Sequence, residues 1–175
     1  MIDRQNLSIL VTKPDGTNIF TIVDILPNLS KLKELIKKSS ITLDQDKSYT
    51  LFAPTNFAIE SFEKKNGKID ETQKASKSFV NGHIIEGKFL FNHLRQLWEA
   101  PIKVKSLSGD LITLGASGDQ EPPLEFSVMG GKAIVHDIEL KSESDPKKGG
   151  LIYLLDSIIA HKGTLYKTYI LKCIL

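Results

Sequence analysis

Through the first hundred residues of this sequence the apolar positions fall mostly at helical spacing, and from Pro101 onward they alternate with polar ones. In the first half, Ile19, Phe20, Ile22, Val23, Ile25 and Leu26 form a run apolar nearly all round, which predicts a buried helix over 18–26, broken by Pro27-Asn28. Leu29, Leu32, Leu35 and Ile36 make a single stripe on a second helix. Ser30 is its expected N-cap, and Lys37 and Lys38 suit the negative end of its dipole. Further helices are expected over 57–65, 71–79 and 89–98. Two short strands interrupt them, Leu7–Thr12, stopped by Pro14-Asp15-Gly16, and Tyr49–Ala53.

In the second half, 102–105, 124–128 and 133–138 have a period of two, which predicts half-buried antiparallel strands. Ser108-Gly109-Asp110, the Gly/Pro-rich stretch 115–123 and Gly130-Gly131 read as the turns between them. After a polar loop over 142–150, Leu151-Ile152-Tyr153-Leu154-Leu155 is apolar throughout, the pattern of a strand covered on both faces. Helices early and strands late imply an α+β fold, with N-terminal helices packed on an antiparallel β-rich half.

Several function classes fall away. A net charge of +2, from 23 basic and 21 acidic residues in 175, gives no basic face for nucleic acid. The single cysteine, Cys173, excludes an internal disulfide and reads as a small buried hydrophobe. His83, His93, His136 and His161 are scattered without the short spacing of a zinc site, so neither metal nor cofactor is expected. No apolar stretch approaches the ~20 residues of a membrane span, and the first residues lack the pattern of a secretory leader. Asp44-Gln45-Asp46 begins like a calcium loop, but Tyr49 and Thr55 stand where such a loop needs glycine and a bidentate acid. Gly130-Gly131-Lys132-Ala133 lacks the hydroxyl residue of a phosphate loop. No Gly-x-Ser-x-Gly elbow occurs, and no nucleophile can be assigned to His83, which reads as a buried, hydrogen-bonded structural residue. The chain is not expected to be an enzyme.

Tyr49-Thr50-Leu51-Phe52-Ala53-Pro54-Thr55-Asn56 has a physical logic of its own. Leu51 and Phe52 suit a core strand, Pro54 keeps Ala53 out of the helical region, and Thr55 and Asn56 can serve the free amides of the next helix. This segment resembles the first signature of fasciclin-type (FAS1) domains. His83-Ile84-Ile85-Glu86-Gly87 is similar to the family's central His-Val-Val-Pro-Gly segment, and Gly150–Asp156 to its second signature, Asn-Gly-Val-Ile-His-Val-Ile-Asp. The resemblance covers roughly residues 18–160. It implies the FAS1 fold, a non-catalytic role in adhesion or interaction, and a structural or contact role for Thr50, Leu51, Phe52, Ala53, Pro54, Thr55, Asn56, His83, Gly87 and Asp156. Gly82, Glu86, Gly149 and Tyr153 replace the family's usual tyrosine, proline, asparagine and histidine. The integrin contacts of some animal members lie near such positions and are not carried over.

Beyond the expected domain, Leu165, Tyr166, Tyr169, Ile170, Cys173 and Ile174 recur at helical spacing, with Lys162, Lys167 and Lys172 among the other positions. This reads as a basic amphipathic tail that folds back on its domain, docks on a partner protein or lies on an acidic membrane surface. The expected division is an N-terminal extension over 1–17, the domain over 18–160 and a docking tail over 161–175. The functional expectation is an accessory subunit of an intracellular or organellar membrane complex, the mitochondrion first, with other subunits as its partners. The alternative is a secreted or cell-surface adhesion module. Asn6-Leu7-Ser8 and Asn28-Leu29-Ser30 are glycosylation sequons, which have meaning only in the second case.

Overall fold

The computed structural model describes residues 9–13, 18–90, 101–117, 125–128, 131–142 and 149–159. In chain order they form β1 (Ile9–Lys13), α1 (Ile19–Ile25), a 3₁₀ turn (Pro27–Leu29), α2 (Ser30–Ser39), β2 (Tyr49–Pro54), α3 (Asn56–Asn66) and α4 (Gln73–Asn81). The remaining elements are β3 (Ile84–Glu86), β4 (Ile102–Lys105), β5 (Leu111–Ser117), β6 (Glu125–Val128), β7 (Gly131–Ser142) and β8 (Gly149–Leu155). All eight strands join one sheet in the order β3-β2-β8-β7-β6-β5-β4, with β1 beside the second half of β7. The ends of that order meet: Ile85 bridges Ser106, and the Leu107 amide donates to the Ile84 carbonyl at 2.8 Å.

The fold is α+β, as expected, but the sheet is mixed. β2 runs parallel to β8 and β1 parallel to β7, while the other pairings are antiparallel. Side-chain alternation records which face a residue takes and carries no information on strand direction, so the pattern could not reveal the parallel pairs.

β2 and β8 are buried on both faces and separate two cores. Leu51 and Ala53 of β2 and Ile152 and Leu154 of β8 face the helices, against Ile19 and Ile22 of α1, Leu32 and Leu35 of α2, and Phe79 and Val80 of α4. The intervening Phe52, Leu151, Tyr153 and Leu155 face the other way, onto Ile85, Ile112 and Leu114. Each leucine, isoleucine and phenylalanine among these contributes about 1.5–3 kcal/mol when withdrawn from water. The entry to β8 is tight: a Cβ on Gly150 would overlap the Ile19 Cγ2 methyl and lie 2.8 Å from the Tyr49 carbonyl oxygen. Only glycine lets α1 and β2 both close on the strand.

Two local expectations are corrected. The helix over 18–26 is not buried all round: Ile19, Ile22 and Val23 face the core, while Ile25 is 66% exposed. Asn18 caps this helix, its side-chain oxygen accepting from the Phe20 amide at 2.9 Å. The stretch 115–123 is not a turn from its start, because β5 runs through Gly115 and Ala116 to Ser117. Gly115 is buried there, paired with Ser127, so a glycine read as a breaker is a strand residue. The expected helix over 89–98 lies mostly outside the described residues, as does the tail from residue 160 onward.

Candidate functional site

The signature residues converge where β2 and β8 end side by side. Thr55 leaves β2 with its amide donating to the Leu155 carbonyl at 3.1 Å. Its hydroxyl donates to the same carbonyl at 3.2 Å and accepts from the Ala58 amide at 3.3 Å, so Thr55, not Asn56, caps α3. Asn56 is thereby freed to cap a different helix. Its Oδ1 accepts from the Lys31 amide in the first turn of α2 at 2.9 Å. Its Nδ2 donates to Ser30 Oγ at 2.8 Å and to the Pro27 carbonyl at 3.2 Å. Ser30 is therefore the first residue of α2 and not its cap. The residue preceding it, Leu29, has no capping side chain, and Asn56 satisfies from 25 positions away an amide that the local sequence leaves orphaned.

The second knot lies at the other end of β2. The buried Thr50 hydroxyl donates to the Gly87 carbonyl at 2.6 Å and accepts from the Phe89 amide at 3.1 Å. Gly87 turns at φ +105°, a conformation that strains any residue with a Cβ, and its amide donates to the Ser48 carbonyl at 2.7 Å. Tyr153, fully buried, donates its hydroxyl to the Phe89 carbonyl at 2.6 Å and stacks on Phe52 with ring centres 5.9 Å apart. Lys47 pairs with Glu86 at 3.0 Å on the surface, and this hydrogen bond and charge raise the lysine's pKa.

His83 joins α4 to the segment after β8. It is 0% exposed, with its ring 4.5 Å from that of Phe79. Nδ1 lies 2.8 Å from the Phe79 carbonyl, and Nε2 accepts the Ile159 amide at 2.9 Å. Since Nε2 accepts a hydrogen bond from the backbone, it carries no proton of its own, and the ring's one N–H is on Nδ1, donated to the Phe79 carbonyl. Both nitrogens are thus held by backbone groups, one at the end of α4 and one just past β8. Asp156 follows β8 half-buried.

Away from these knots, Glu63 is a largely enclosed acid of the helical layer, its side chain 10% exposed. Burial pushes its carboxyl up, but the Ile69 amide at 3.2 Å, Lys68 at 3.2 Å and Lys31 at 3.4 Å outweigh this and hold it below the ordinary value.

Thr50, Leu51, Phe52, Ala53, Pro54, Thr55, Asn56, His83 and Gly87 therefore form one connected region around β2, whereas Leu165, Tyr166, Tyr169, Ile170, Cys173 and Ile174 lie outside the described residues. Sequence reasoning missed the roles of Gly150 and Tyr153. A glycine opening a five-residue apolar run was the available signal for the first; for Tyr153 there was none, since its partner is a backbone carbonyl 64 positions away. Among the described residues, no three His, Cys, Asp or Glu side chains are grouped to hold a metal ion. No helix among them is long and apolar enough to cross a membrane.

The family profile of the Fasciclin domain matches residues 27–161. Among solved structures, the chain is similar to a FAS1 domain pair from the insect cell adhesion molecule fasciclin I, with a TM-score of 0.60 and 14% identity. The match covers 85% of this chain and 52% of that one, so this chain spans about half the length of its structural neighbour. At that identity the likeness speaks for the fold alone.

Proposed function

This chain belongs to the fasciclin domain family, and on that premise we propose that it is a non-catalytic protein–protein interaction module of the adhesion type, acting at the cell surface or outside the cell. The observation that carries the reading is where the signature's polar groups are spent. Thr50, Thr55, Asn56, Tyr153 and His83 are all engaged inside the domain, most of them on backbone groups. A histidine with both ring nitrogens committed to the backbone has no lone pair to offer a substrate as general base. The signature thus builds the scaffold, and recognition falls to outward surfaces. The solved structure that shares this fold belongs to an insect cell adhesion molecule. Nothing in the described residues or the family match favours a subunit of a mitochondrial membrane complex, and that expectation gives way to the adhesion reading.

The test is an attachment assay. Beads coated with the folded protein are presented to cells of its source and to beads coated with the same protein. Saturable attachment that soluble protein inhibits, and that protease treatment of the cells abolishes, is the expected result. Attachment no greater than that of albumin-coated beads to either target refutes the reading.

A further inference from the structure

We infer that Asn28 is a site of N-linked glycosylation, and that its glycan covers the apolar corner formed by the 3₁₀ turn and the start of α3. The inference rests on the cell-surface reading above, because the modifying machinery works in the secretory pathway. The sequon Asn28-Leu29-Ser30 occupies the turn between α1 and α2, and its three residues are used in three ways. Leu29 is fully buried and pins the turn, helped by its amide donating to the Leu26 carbonyl at 3.1 Å. Ser30 is exposed, and its hydroxyl oxygen accepts from Asn56 Nδ2 at 2.8 Å, which keeps its side chain in place. Asn28 is exposed, and its amide makes no hydrogen bond among the described residues. At the start of a helix an asparagine is ordinarily occupied in capping. Here Asn56 does that work, and the Asn28 side chain is left to point into solvent with nothing to lose on modification.

The surroundings give the glycan something to cover. Ile25 is 66% and Phe57 71% exposed, the two most exposed large hydrophobic residues among those described. Asn56 Nδ2 donates to the Pro27 carbonyl at 3.2 Å, which sets the residue before Phe57 against Pro27, one residue before Asn28 and two after Ile25. The apolar face of a sugar ring can rest on an aromatic side chain placed this way, as other flat apolar groups do.

The reaction is an amide glycosylation by a lipid-linked oligosaccharide pyrophosphate, made by an oligosaccharyl transferase. Asn28 Nδ2 forms a bond to the anomeric carbon of the first sugar as the bond from that carbon to the pyrophosphate oxygen breaks. The lipid pyrophosphate leaves with the electron pair, and the amide proton passes to a base of the transferase. The transfer precedes folding, since Leu29 is inaccessible in the finished domain.

The test uses the protein from its own cells, after labelling of intact cells with a membrane-impermeant biotin reagent. Peptide-N-glycosidase treatment should convert Asn28 to aspartate, read by mass in the peptide that contains it, and lower the apparent mass of the protein. Asn28→Gln should abolish that shift without moving the thermal midpoint, and should increase binding of a hydrophobic dye at the uncovered corner. Ser30→Thr, which keeps a hydroxyl for Asn56, should retain or raise occupancy. An unmodified Asn28 on biotin-labelled protein overturns the glycan and leaves the adhesion reading standing; an unmodified Asn28 on protein that escapes the label overturns both.

Discussion

Replacing His83 by alanine removes a side chain that joins the end of α4 to the segment after β8, and the structure sets the size of the loss. The Ile159 amide and the Phe79 carbonyl both lose their partner at a fully buried position. Each orphaned group costs about 1–3 kcal/mol, and the space vacated by the ring adds a further penalty of about 1–2 kcal/mol after partial collapse. The expected total is about 3–8 kcal/mol, against the ~5–15 kcal/mol that holds a typical domain together. Urea unfolding followed by circular dichroism gives the loss as a shift in midpoint at constant slope. Hydrogen exchange locates it: the Ile159 amide should lose its protection before the amides of β2. His83→Gln, which retains both a donor and an acceptor, should recover part of the loss. A cost below about 1 kcal/mol for the alanine variant, or unchanged protection at Ile159, refutes the assignment of His83 as the strut.

Other substitutions test the remaining joints. Asn56→Ala should cost about 1–2 kcal/mol through loss of the cap on α2, and exchange should rise at Lys31, not at the start of α3; the reverse pattern returns Asn56 to capping its own helix. Gly150→Ala should destabilise by about 1–3 kcal/mol, because its methyl group meets Ile19 and the Tyr49 carbonyl, and an unchanged melting temperature would show that α1 can withdraw freely. Ser76 is 0% exposed with a hydroxyl that has no partner among the described residues, so Ser76→Ala should be neutral or stabilising by about 1 kcal/mol, and a loss larger than that would reveal a hidden partner. Glu63 has a carboxyl depressed in the folded state below its ordinary value of 4.5. Its contribution is therefore fully present above that pH and is lost as pH falls through the lower folded value; Glu63→Gln should flatten the acid limb of stability against pH, and an unaltered limb would refute the role.

What the sequence disclosed and what it hid divide along the range of the interactions. The strand expected over Tyr49–Ala53, the buried strand Leu151–Leu155 and the passage from strand to helix after Pro54 were legible because period, apolar content and proline act within a few residues. The cap on α2 was misread for the opposite reason. Ser30 has the chemistry of a cap and stands at the right place, yet Asn56 arrives from 25 positions away and displaces it from that role. The parallel pairing of β2 with β8 and the burial of the Tyr153 hydroxyl were likewise hidden, since neither leaves a local trace. The signature at 49–56 was recognisable as family likeness, while what its polar atoms do could be learned only from the partners they meet. The outward residues, Ile25 and Phe57 among them, showed nothing beyond hydrophobicity, and Ile25 was even expected inside.

The central pairing of the sheet also sets a timetable. β2 lies beside β8, and the bond between Thr55 and Leu155 closes a gap of 100 residues. At ~5–20 residues per second of synthesis, β2 waits about 5–20 s for its neighbour to emerge. During that interval six consecutive residues destined for burial, Tyr49–Pro54, have only β3 to pair with, so one side of the strand stays open. The helices can form early because their contacts are local, but loop closure over such a distance must come before the sheet has a middle. The domain therefore cannot be assembled from its N-terminus outward. A ribosome that stalls before β8 releases a layer of finished helices around an unpaired apolar strand edge, the kind of species that chaperones retain and that otherwise associates with copies of itself.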